Sequence, residues 1–160
     1  FGDVGFNDFE EVNVVSEPGQ NFGWPLAEGP CQEACDGLTD PWFFYGRSNS
    51  HPFVAEDLDA VPTSERSVFV GWIYQPVAED PYQGRWNDVM TFGDTIVGFI
   101  RARNIHGDGP DWAVGHLPWI TGWAQAPDGY VYVTAMGTWP PADEGEAEQP
   151  SHILRAVLAD

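Results

Sequence analysis

Three carboxylates, Asp8, Glu10 and Glu11, crowd into "FNDFEEVNVV" near the start of the chain. Calcium takes several hard oxygen ligands at one locus, so these acids and the carbonyls beside them are candidates for a calcium site. Solvated acids capping a strand end are the alternative. Cys31 and Cys35 share the short loop "GPCQEACDG". A Gly/Pro-flanked loop of this length can bring two sulfurs together, which predicts a disulfide in an oxidising compartment, with free thiols as the alternative. A zinc pair would need two more ligands nearby, and haem attachment would need a Cys-x-x-Cys-His sequence that is absent. Asp94 in "TFGD" could face a channel, but a Gly-Asp pair at a strand end more often makes a turn. Asp108 and Asp111 in "NIHGDGPD" fit no EF-hand spacing, and a connecting turn is favoured over a metal loop.

The elements that must position these groups are short strands. Val12, Asn13 and Val14 alternate, Pro18-Gly19 reverses the chain, and Phe22, Trp24 and Leu26 continue the alternation, giving a strand-turn-strand unit. A second unit holds "SVFVGWIYQP", "WNDVMTFGD" and "TIVGFIRARN". A third holds "WITGWAQAPDGYVYVTAM" and "SHILRAVLAD", with Asp128-Gly129 marking a hairpin turn. No helical apolar repeat exceeds two turns, and 18 Gly and 14 Pro punctuate the elements, so the class is all-β. The spacing of the units suits two and a half to three antiparallel blades of an incomplete propeller, with a two-sheet sandwich as the alternative.

The formal charge is −19, and all six basic residues are Arg. Such a chain repels phosphate backbones and anionic membranes, which argues against nucleic acid and fits cationic partners or metal ions better, with a solvated acidic surface in a secreted or salt-tolerant setting as the plainer reading. No apolar run reaches the ~20 residues that cross a bilayer, and Phe1 in place of an initiator Met reads as a mature or excised segment. Trp42, Phe43, Phe44 and Tyr45 cluster in the irregular stretch 30–67 and, with Trp139 in "TWPP", are candidate partner anchors.

"DVGFNDFEEVNVVSEPGQNFGWPLAEG" at Asp3 to Gly29 resembles the glucose/sorbosone dehydrogenase family, soluble quinoprotein sugar dehydrogenases built on a six-bladed propeller. "FVGWIYQ", "GRWNDVMTFGDTIVGFIRA" and "ITGWAQAPDGYVYVT" are similar to later motifs of that family, in the same order. The resemblance covers only the C-terminal half of such a propeller. It implies a calcium ion held through the carbonyls of Gly5 and Phe6 beside the quinone cofactor PQQ, and a second calcium near Glu10 and Glu11. It also implies that the catalytic His and a substrate-binding Arg belong to blades before this region, since His51, His106, His116 and His152 match no family motif.

The family gathers cations against the carboxylates of PQQ, and the matching positions here are Ile96, Trp119 and Thr121. None carries charge, and a tricarboxylate is unfavourable in a domain of net charge −19 without counter-charges. The expectation is therefore a non-catalytic, extracytoplasmic interaction module docked in a larger protein assembly, with calcium as its metal and PQQ disfavoured. The alternative is a segment of an active PQQ-dependent aldose dehydrogenase completed by blades outside the chain. Half a propeller leaves open sheet edges, which predicts other subunits or missing blades as covering partners.

Overall fold

The computed structural model describes residues 1–47, 65–106, 111–137 and 150–157. Among these residues there is no helix, and the strands are β1 (Gly2–Asp3), β2 (Phe9–Val12), β3 (Phe43–Gly46), β4 (Val68–Ile73), β5 (Val89–Asp94), β6 (Phe99–Asn104), β7 (Trp112–His116), β8 (Ile120–Gln125), β9 (Val131–Ala135) and β10 (His152–Arg155). They form three antiparallel sheets that follow one another along the chain, ordered β1-β2-β3, β4-β5-β6-β7 and β10-β9-β8. The all-β, blade-like design read from the sequence is the one observed, as three small sheets of an incomplete propeller-like fold. The chain divides into two compact units, Phe1–Val70 and Gly71–Asp160.

In the first unit, β2 pairs with β3 so that Val12 opposes Phe43, Glu11 opposes Phe44 and Glu10 opposes Tyr45. Because side chains alternate across a strand, Glu10 shares one face with Val12, Phe43 and Tyr45, and Glu11 shares the other with Phe9 and Phe44. The Phe9 and Phe44 rings meet edge to face at 5.6 Å. The aromatic run Trp42 to Tyr45 is therefore not an exposed loop. Phe43 and Tyr45 are buried and Trp42 and Phe44 half-buried, so the run contributes to the packing of the sheet. The stretch from Phe22 to Leu26 also departs from expectation. It is a turn, with Leu26 N and Ala27 N both donating to Gly23 O, and Gly23 at φ 105°. Pro25 has no amide to give a ladder, and Gly23 adopts a backbone that strands do not use.

In the second unit, the fully buried strand β5 is one of the two inner strands of its sheet. Tyr74, Tyr82, Trp86, Val89, Ala102 and Val131 form one core cluster. Tyr82 stacks on Trp86 with ring centroids 4.5 Å apart, and its hydroxyl accepts from Val131 N at 2.8 Å and donates to Ala156 O at 3.1 Å. One phenol thus ties the aromatic core to β9 and to the chain just beyond β10. The Asp128-Gly129 turn joins β8 to β9 as the sequence suggests, with Gly129 at φ 82°.

Candidate functional site

The first unit holds a cavity of about 280 Å³ lined by Asp3, Val4, Gly5, Phe6, Phe9, Glu11, Phe22, Trp24, Ala27 and Glu28. Three segments build it: β1 with the turn after it, the outward face of β2, and the turn from Phe22 to Glu28. Phe6 and Trp24 lie against each other with ring centroids 5.9 Å apart, and they remain 71% and 61% exposed. Large aromatic rings left this open contribute little to a core, which marks them as surface available for contact.

Two of the carboxylates are held rigidly. Glu28 Oε1 accepts from the amides of Asn7, Asp8 and Phe9 at 3.0, 2.9 and 3.1 Å, closing the turn before β2 onto the turn after Trp24. A side chain at Gly5 would strike Phe9 O at 1.9 Å and Glu28 Oε1 at 2.6 Å, so only glycine fits this approach. Glu11 is buried and accepts from Gly29 N and, at 3.1 Å, from Asn13 Nδ2. Burial pushes its carboxyl above the ordinary range; the two hydrogen bonds pull it down, and the charges of Asp3 and Glu28 push it up again.

The residues proposed as calcium ligands are divided. Gly5, Phe6 and Glu11 line the cavity, but Asp8 does not, and Glu10 lies on the opposite face of β2. Glu10 is fully buried, pairs with Arg47 and accepts from Val68 N at 2.8 Å. The pleat of a strand prevents adjacent Glu10 and Glu11 from meeting at one ion. Among the described residues, no three His, Cys, Asp or Glu side chains gather closely enough to hold a metal. The cavity instead recruits Asp3 and Glu28, which are 25 positions apart and leave no local signal in the sequence.

Cys31 and Cys35 are joined as a disulfide with their Cα atoms 5.7 Å apart. Asp94 makes the expected turn: its Oδ1 accepts from Ile96 N at 2.8 Å and from Val97 N at 2.7 Å. Arg101 pairs with Asp111. His116 Nε2 contacts Val97 O at 2.8 Å, His106 is exposed near Asp88, and His152 is exposed on β10. His51, Asp108 and Trp139 lie outside the described residues.

The positions assigned by resemblance to cofactor counter-charges come together within the second unit. Trp119 N donates to Thr95 O at 2.6 Å, which brings the turn bearing Ile96 beside the start of β8, where Thr121 follows. Trp119 has φ 62°, a left-handed backbone that is strained for an aromatic residue. Its carbonyl accepts from Met136 N at 2.9 Å. Thr121 Oγ1 lies 3.0 Å from Thr134 Oγ1. Ile96, Trp119 and Thr121 carry no charge themselves, and the buried Asp94 carboxylate accepts from Ile96 N at this turn. Comparison of the chain with protein-family models, curated proteins and solved structures finds no match.

Proposed function

We propose that this chain is a non-catalytic interaction module, related in design to the C-terminal half of a glucose/sorbosone dehydrogenase-type propeller and docked in a larger protein assembly outside the cytoplasm. The observation that carries the proposal is β10. It lies at the edge of the sheet β10-β9-β8 and is exposed along its whole length, with Ile153 75% exposed and Leu154 and Val157 open beside it. An edge strand presents unpaired backbone donors and acceptors, and apolar side chains along it favour pairing with another chain. A further blade or a partner subunit supplies that pairing.

Two other features support the proposal. Ile96, Trp119 and Thr121 offer no charge to PQQ, and the chain carries −19, so cofactor capture by this segment is disfavoured. The disulfide Cys31–Cys35 suits an oxidising compartment. A calcium ion shared by Glu10 and Glu11 is disfavoured, because the two lie on opposite faces of β2 and are engaged by Arg47, Val68, Gly29 and Asn13.

Sedimentation equilibrium of the chain tests the docking. Self-association or stable capture of a subunit over more than ~1,000 Å² is expected, whereas a well-folded monomer at micromolar concentration with no partner refutes it. Dye-linked glucose oxidation with added PQQ and calcium tests the second half of the proposal. No turnover is expected, and turnover by the chain would establish the enzyme-segment alternative.

A further inference from the structure

We propose that the cavity of the first unit binds a small soluble molecule with a quaternary ammonium centre. The site is distinct from β10 and stands whether or not that edge docks a protein.

Three carboxylates, Asp3, Glu11 and Glu28, line the cavity, and among the described residues no basic side chain does. The field inside it therefore selects cations. A metal ion needs oxygens converging on a point, and the described acids do not converge in that way. Spread carboxylates instead suit a larger ion whose charge is distributed over methyl groups. The rest of the wall is apolar and rich in aromatic rings, those of Phe6, Phe9, Phe22 and Trp24, and aromatic rings attract alkylammonium groups through their quadrupoles. Dispersed negative charge and aromatic rings together describe a quaternary ammonium site better than either a metal site or a neutral apolar one.

The site is also preorganised. Glu28 is fixed by three backbone amides and Glu11 by Gly29 N, so their charges need no rearrangement when a cation enters. The volume of about 280 Å³ lies at the small end of small-molecule sites and suits a headgroup-sized ligand. The exposed rings of Phe6 and Trp24 form its open side.

The test is titration of the chain with choline, followed by calorimetry and by the proton resonance of the choline N-methyl groups. Saturable binding with an upfield ring-current shift is expected. The neutral isostere 3,3-dimethylbutan-1-ol should bind roughly ten-fold more weakly, because it keeps the shape and loses the charge. Glycine betaine should also bind more weakly than choline, since its carboxylate meets three others. Trp24→Ala, at an exposed position that leaves the core intact, should lower choline affinity roughly ten-fold, and Asp3→Asn should lower it less. Equal binding of choline and its neutral isostere, unchanged affinity in Trp24→Ala, or displacement of choline by equimolar calcium would each overturn the proposal.

Discussion

Asn13 Nδ2 donates to Glu11 Oε2 at 3.1 Å, while Asn13 Oδ1 is buried with no hydrogen-bond partner among the described residues. The pair is thus half-satisfied. An ionised Glu11 can only accept, so it uses the amide nitrogen and strands the amide oxygen. A protonated Glu11 gains a donor, and turning the Asn13 amide over would then let that proton reach Oδ1.

This arrangement predicts how stability responds to pH. Burial, helped by Asp3 and Glu28, raises the folded-state carboxyl of Glu11 above its ordinary value of 4.5. The folded chain therefore keeps a proton at Glu11 to higher pH than the unfolded chain does. The associated stabilisation is complete below the unfolded value and is lost as pH rises through the folded one. Glu11→Gln cannot ionise and escapes that loss. Urea denaturation across pH 4 to 7 should show wild type losing ground steadily against Glu11→Gln; a constant or widening wild-type advantage would contradict the assignment.

Tyr82 carries a different load, because its hydroxyl is the shared partner of Val131 N and Ala156 O. Tyr82→Phe keeps the stack on Trp86 but leaves a buried amide without its acceptor. The expected cost to the second unit is about 2 kcal/mol. Equilibrium denaturation checks it, and a cost below about 0.5 kcal/mol would show that water replaces the phenol freely. Near-ultraviolet circular dichroism should be retained, since the ring packing is unchanged.

Much of this second unit is legible in the sequence, from apolar patterning bounded by turn residues. β9 alternates, β5 and β6 are apolar runs bounded by turn residues, and Asp128-Gly129 is a turn pair with an obvious mechanism. β3 was illegible because four consecutive aromatic residues, Trp42 to Tyr45, show no period and can be read as a loop. β7 was missed because Trp112 to His116 is largely exposed on both faces, so no buried stripe announces it. Phe22 to Leu26 shows the converse: an apparent alternation that Gly23 and Pro25 fold into a turn. The cavity could not be found locally either, since Asp3, Glu11 and Glu28 come from three segments that meet only after β2 and the turn before Gly29 are in place.

Glu10 and Arg47 form a pair in which the carboxylate is completely buried and the guanidinium is 27% exposed. Arg47 Nη1 also donates to Arg66 O at 2.9 Å, and Glu10 Oε2 takes Val68 N, so one carboxylate organises three stretches of the first unit. Removing a single member of such a pair strands the other charge. Glu10→Ala should destabilise the first unit by about 3 kcal/mol, and Glu10→Gln, which keeps an acceptor for Val68 N, by less. Chemical denaturation followed by tryptophan fluorescence decides this: equal effects of the two substitutions would place the whole contribution in the charge of the pair, and no effect of Glu10→Gln would place it in packing and the bond to Val68 N.

The disulfide should contribute little by comparison. Cys31 and Cys35 are only four positions apart, so the loop they close is short and the chain entropy it removes from the unfolded state is small, worth about 2 kcal/mol at most. The surrounding loop has its own ties: Cys31 N donates to Asp40 Oδ1 at 3.0 Å, Leu38 N to Cys35 O at 3.0 Å, and Thr39 N to Asn21 O at 2.7 Å. These bonds do not depend on the sulfur bridge, and β2 and β3 pair elsewhere. Reduction should therefore lower the unfolding free energy modestly and leave the sheet folded. Alkylation with intact-mass measurement should label both thiols only after reductant is added, and circular dichroism of the reduced, alkylated chain should keep its strand signal. Labelling of two thiols without reductant would remove the bridge from the native protein, and loss of the strand signal on reduction would show that the bridge, rather than the hydrogen bonds around it, holds the loop.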